Sequence, residues 1–187
     1  MGRIIKVGDG FLKTTLTNAI TNAQYGDTIL IDNINFNKET MSFFEIPKGM
    51  DIKITSIDSE KKSLSGFKSL IKGNLSVSNV TLNSEEKHVV FDIDQGSLEL
   101  DNISFNKMFS KFHKTAISNN GGNLLIKNSI TLCPYSTNGT VVIENSTIYG
   151  GTLSIKSKWS IFNCTLYNIL KSLRTQIYSL IVLLQYF

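Results

Sequence analysis

Between Arg3 and Arg174 the chain contains no arginine, although its 187 residues carry 19 Lys+Arg against 15 Asp+Glu, a formal charge of +4. Arginine gives the bidentate grip on phosphate and guanine that lysine, a point charge, does not. A nucleic-acid groove in the body of the chain is therefore not expected. Proline occurs only at Pro47 and Pro134, so no Pro-rich linker divides the chain. Cys133 and Cys164 are too few for a disulfide framework, and neither CxxC nor a Cys/His cluster offers zinc ligands. Histidine occurs only at His88 and His113. The opening residues hold no long apolar run, so no secretory signal is expected. Lys6 stands where myristoylation wants Ser or Thr. The default compartment is then the cytoplasm, with virion assembly or non-classical export as alternatives.

What the chain does have is a repeat. Apolar residues make up 41%, enough for one folded domain of this length. Seven segments share, with small departures, the pattern apolar–x–apolar–x–Asn–x–x–apolar: 29–36, 52–59, 75–82, 98–105, 124–131, 141–148 and 159–166. Their aligned polar residues are Asn33, Ser56, Asn79, Asn102, Asn128, Asn145 and Asn163, at spacings of 23, 23, 23, 26, 17 and 18. The alternation ahead of each Asn is the period of a strand. A second short apolar run follows each Asn. Several repeats carry a third, such as 43–46, 69–71, 89–93, 115–117 and 152–155. Gly73, Gly96, Gly122 and Gly139 lie just ahead of the strand in four of them.

One such repeat cannot bury its apolar face alone. Stacked in parallel about 4.8 Å apart, the repeats pair every strand and share one core. Asn tolerates the left-handed backbone of a tight corner, and a column of Asn can hydrogen-bond along the stack. The fold expected is all-β: a single-stranded right-handed parallel β-helix of about seven coils over residues 28–168. A leucine-rich repeat would need a helical segment in each unit, and a β-sandwich would not hold an Asn register.

Both ends read as caps in a single domain spanning 1–187. Within an N-terminal cap of residues 1–27, Leu12, Leu16, Ala19, Ile20 and Ala23 fall on one face of a helix expected over 12–24. At the other end, Leu170, Leu173, Ile177, Leu180, Leu184 and Phe187 recur every three or four residues. That spacing predicts an amphipathic C-terminal helix over 169–187. It would cover the last coil or join copies into a homo-oligomer through Leu170–Phe187. Its last part, the 11 residues Ile177–Phe187, is too short to span a membrane.

The opening VGDGFLKTTLTNAITNAQYGDTILI (7–31), with the coils GSLELDNISF (96–105) and KWSIFNCTLYN (158–168), resembles the pectate-lyase-like right-handed β-helix superfamily. The resemblance covers about residues 5–168. It implies the fold, and a site on the sheet of the third run beside the loops that bulge between coils. Outward residues there would include Glu45, Asp92 and Asp94, walled by 84–88 and 106–114. Fold alone does not carry function.

The residues offer little chemistry. Lyases of that superfamily use an arginine or lysine base and calcium, and the coils hold no arginine. Asp92 and Asp94 would point the same way from one strand, but calcium takes about six to eight oxygens. The hydrolase motifs Asn-Thr-Asp, Asp-Asp and Gly-His-Gly are absent. Asp101 and Glu144 would stand two coils apart with Lys127 between them, roughly 9–10 Å by strand spacing. That lies at the edge of the separation for inverting hydrolysis, and a ladder of alternating charges is the simpler account. His88 and His113 fall in neighbouring loops, where they could face one another as base and partner. Surface histidines are the plainer account. Cys164 occupies an inward position, as a small buried hydrophobe would.

The loop 106–114 interleaves Lys107, Lys111 and Lys114 with Met108, Phe109 and Phe112. That composition suits sugar rings or an anionic ligand, or covers the coil beneath. The expected contact residues are Asp92, Asp94, His88, Lys107, Phe109, Lys111, Phe112 and His113, with no catalytic residue, metal or cofactor. The expected function is a non-catalytic binding or structural module whose partner is a polysaccharide or a protein. The alternatives are a polysaccharide-active lyase or hydrolase, or its remnant, and an oligomeric phage or cell-surface fibre segment.

Overall fold

A computed structural model of the protein describes residues 2–8, 14–32, 42–56, 62–65, 67–83, 90–106, 116–153, 156–171 and 177–184. The described residues are almost wholly strand, joined in one sheet in which every pairing is parallel. Parallel strands need a connection that carries the chain back to its starting side. Here that return is made by further strands, so each turn of chain lies on the one before. The pattern fits a parallel solenoid.

The first ladder runs through β1 (Ile4–Val7), β2 (Asp27–Ile31), β4 (Asp51–Ser56), β7 (Asn74–Ser78) and β10 (Ser97–Asp101). It continues through β12 (Ile117–Lys127), β14 (Tyr135–Glu144), β16 (Lys158–Lys171) and β17 (Ile177–Leu184). Its inward column is Ile5, Ile29, Ile54, Val77, Leu100, Ile126, Ile143 and Ile161, each paired with the next. All but the partly buried Ile5 are at most 2% exposed. Burying one such side chain contributes about 1.5–3 kcal/mol, and only stacking closes the column.

Past each aligned Asn, or Ser56 in its place, the second ladder stacks β5 (Lys62–Ser65), β8 (Val80–Asn83), β11 (Ser104–Asn106), β13 (Ile130–Leu132), β15 (Thr147–Leu153) and the end of β16. On its outer side the rings of Tyr149 and Tyr167 stack, with centroids 4.8 Å apart. The third ladder joins β3 (Ser42–Ile46), β6 (Phe67–Ile71), β9 (Val90–Ile93) and the first halves of β12 and β14.

Asn79, Asn102, Asn128, Asn145 and Asn163 all adopt left-handed backbone, with φ between 48° and 56°. The Asn102 carboxamide donates to Asn79 Oδ1 and that of Asn163 to Asn145 Oδ1, each at 2.8 Å. The column breaks at Asn128, which donates instead to Asp101 Oδ1. The next position points inward: Val80, Ile103, Ser129, Ser146 and Cys164 are all buried. The serine hydroxyls there serve the backbone. Ser129 Oγ accepts from the Ile103 N–H, and Ser146 Oγ from the Ser129 N–H.

After residue 116 the chain shortens its turns at the third ladder. The buried column Ile46, Ile71, Ile93 continues in register as Asn119 and Ser136. Asn119 Oδ1 accepts from the Gly122 N–H at 2.9 Å, and its Nδ2 donates to the Gly122 carbonyl. The third ladder thus runs straight into the first within β12, with register shifts at Asn119/Asn120 and Asn120/Asn123.

Four expectations need correction. The N-terminal helix is α1, Leu16–Thr21, not 12–24. Thr15 caps it, accepting from the Asn18 N–H, and Thr14 is drawn into a parallel bridge with Val7. The C-terminal segment is not an amphipathic helix. β16 runs through Leu170 to Lys171, and Ile177–Leu184 is a ninth strand of the first ladder. A run apolar on every side carries no helical period, and the free edge of β16 offers it unpaired backbone. The helical argument for joining copies through Leu170–Phe187 goes with it. In the first repeat the register is off by two: Ile31, not Asn33, lies opposite Ser56. Finally, β1 adds a strand ahead of the seven expected.

Candidate functional site

The third-ladder face was the expected site. Its outer column pairs Glu45, Leu70, Asp92, Ser118 and Tyr135. The carboxylates on it are engaged by lysines: Lys72 Nζ lies 3.0 Å from Glu45 Oε1, and Lys68 Nζ 3.4 Å from Asp92 Oδ2. Asp94 does not share a strand with Asp92. β9 stops at Ile93, and Asp94 begins the turn, its N–H donating to the Ile71 carbonyl. Side chains project from a common face only while the strand lasts, so the pair is not a two-pronged cation site. Among the described residues no three His, Cys, Asp or Glu side chains gather to hold a metal ion. His88, Lys107, Phe109, Lys111, Phe112, His113 and Asn33 lie outside the described residues, as do the loops 84–88 and 107–114.

A concave surface lies elsewhere, over the outer side of the first ladder. It has a volume of about 510 Å³. Two columns in register line it. One is Asp51, Asn74, Ser97, Asn123 and Thr140; the other is Ser76, Glu99, Leu125 and Val142. Successive members come from successive turns, so the groove follows the axis of the stack. The first column is polar throughout, whereas the second changes from Ser76 and Glu99 to Leu125 and Val142 along the axis.

The one acid in the middle of the groove is neutralised from its rim. Lys127 Nζ sits 2.6 Å from Glu99 Oε1 and 4.0 Å from Asp101 Oδ2. The hydrogen bond to Glu99 raises the Lys127 pKa above the ordinary lysine value, helped by the charges of Asp101 and Glu144 and opposed by burial. Asp101, Lys127 and Glu144 follow one another in register. The alternating charge ladder expected from the sequence is the arrangement present.

The thiols are not poised as nucleophiles. Burial pushes Cys133 up to about 12 and raises Cys164 as well. Cys164 faces the interior, its Sγ within 3.0 Å of the Phe162 carbonyl.

The groove was not anticipated from the sequence. Its signal was there: Asn74, Ser97, Asn123 and Thr140 are small polar residues at one outward position of four consecutive repeats. No family model, curated protein or solved structure matches the chain. Among the described residues, no helix is long and apolar enough to cross a membrane.

Proposed function

We propose that the chain is a right-handed parallel β-helix of the pectate-lyase-like kind, with seven repeated coils flanked by β1 and β17. It works as a non-catalytic binding or structural module whose partner, a polysaccharide or a protein, lies along one sheet face. The observation that carries this reading is the lining of the groove: two columns of side chains repeated turn after turn along the axis. A lining in register suits an extended ligand, because each turn presents side chains at the same two outward positions one strand spacing further on. The carboxylates support the non-catalytic part. Glu45 and Asp92 are each engaged by a lysine, and Glu99 and Asp101 flank a third, Lys127, whereas glycoside hydrolysis needs two carboxyl groups facing one bond.

The test is retention of the purified chain on an array of polysaccharides and candidate protein partners, compared with Ser97→Trp. An indole at Ser97 fills the middle of the groove. Retention that Ser97→Trp abolishes, with an unchanged melting temperature, supports this face. Retention untouched by the substitution moves the contact surface elsewhere.

A further inference from the structure

The chain contains two Asn-Gly steps, Asn120-Gly121 and Asn138-Gly139, and the fold stacks one on the other. Asn120 and Asn138 are register partners in β12 and β14, and both are exposed. An Asn-Gly step is the dipeptide most open to attack of the following backbone nitrogen on the carboxamide, because glycine places no side chain in the way. A regular ladder protects such a step by fixing the nitrogen in a backbone hydrogen bond. Here the ladder is interrupted: the β12–β14 register shifts on both sides of Asn120.

The two carboxamides are held differently. The Gly139 N–H donates to Asn138 Oδ1 at 2.9 Å, so this nitrogen lies against the carboxamide it would attack. Asn120 Oδ1 instead accepts from the Thr137 hydroxyl on the next turn at 2.8 Å, a contact that ties this carboxamide to the neighbouring turn.

We propose that Asn138 is a site of spontaneous deamidation and isoaspartate formation, favoured by the fold over the chemically equivalent Asn120. The Gly139 nitrogen loses its proton to solvent base and bonds to Asn138 Cγ. The carboxamide nitrogen takes up a proton from solvent and departs as ammonia, closing a five-membered imide. Water then adds across one of the two imide C–N bonds. Opening on the side-chain side leaves an ordinary aspartate at this position, and opening on the backbone side leaves isoaspartate. The isoaspartyl product lengthens the main chain by one methylene at a tight place. The Asn138 carbonyl accepts from Ser136 Oγ at 3.1 Å, and Ser136 Oγ lies 2.7 Å from Ser157 Oγ. Rerouting the chain at residue 138 pulls on that buried contact between turns.

The experiment incubates the full chain at mildly alkaline pH, folded and in denaturant. Conversion at each Asn-Gly step is followed by peptide mass mapping, and isoaspartate is separated from aspartate by fragmentation. The folded chain is expected to convert Asn138 several-fold faster than Asn120, with the difference lost in denaturant. Equal rates in the folded chain, faster conversion at Asn120, or no conversion at Asn138 would each overturn the proposal.

Discussion

Asn102 Nδ2 donates to Asn79 Oδ1 at 2.8 Å across a sequence separation of 23 residues, and both residues hold left-handed backbone. One residue type therefore meets two demands of the corner, its backbone conformation and a bond along the axis. The substitutions separate them. Asn102→Gly keeps the conformation and loses the bond, at about 1 kcal/mol. Asn102→Ala loses both and adds about 1–2 kcal/mol for a left-handed Cβ. The urea midpoint is expected to fall in the order wild type, Gly, Ala.

Neighbouring turns touch through backbone at the glycines ahead of the first ladder. A methyl group on Gly122 would lie 2.3 Å from the Gly96 carbonyl oxygen and 2.4 Å from Ile93 Cγ2. Backbone cannot move aside as a side-chain end can. Gly122→Ala is expected to cost about 3 kcal/mol or more, read as loss of soluble folded protein or a sharply lowered melting temperature.

Arg3 and Asp27 make the N-terminal end sensitive to acid. Asp27 is 1% exposed and accepts from the Arg3 side chain at 2.7 Å, and from the Arg3 and Gln24 backbone. The Arg3 hydrogen bond is the main cause that holds its pKa at about 2 against 3.8 unperturbed, with burial opposing. The folded value lies below the unfolded one, so the contribution is fully present above about 3.8 and is lost as pH falls through about 2. Asp27→Asn is expected to lower the melting temperature by a constant amount at neutral pH. The gap should close over that acidic window.

Cys133 and Cys164, with thiol pKa values raised by burial, should be inert to thiol-directed alkylation at neutral pH while the chain is folded. Both should react at once in denaturant. Rapid labelling of the folded protein would show that one of them reaches solvent as a thiolate.

Most of the stack was legible because its corners carry a residue type with a conformational reason. The Asn at 79, 102, 128, 145 and 163 gave both spacing and backbone. The first repeat misled for a physical reason. A slip of one residue turns a strand's apolar side outward, but a slip of two keeps it inward. Ile29 and Ile31 therefore fit either register, and the pairing of Ile31 with Ser56 came only with the structure. β1 is four residues long, too short to show a period. The tail residues Ile177–Leu184 are apolar at nearly every position, so their three-and-four spacing did not mark a helix. The groove was harder to see, because small polar residues on an outward face look like ordinary solvated surface.

The proposed module binds along a repeated face without catalysis. Its most direct test is the chain length of whichever polysaccharide the protein retains, measured before and after prolonged incubation with excess protein. Unchanged polymer length, with no new reducing or unsaturated ends, is the predicted result. Shortened polymer would contradict the account and make the chain an enzyme.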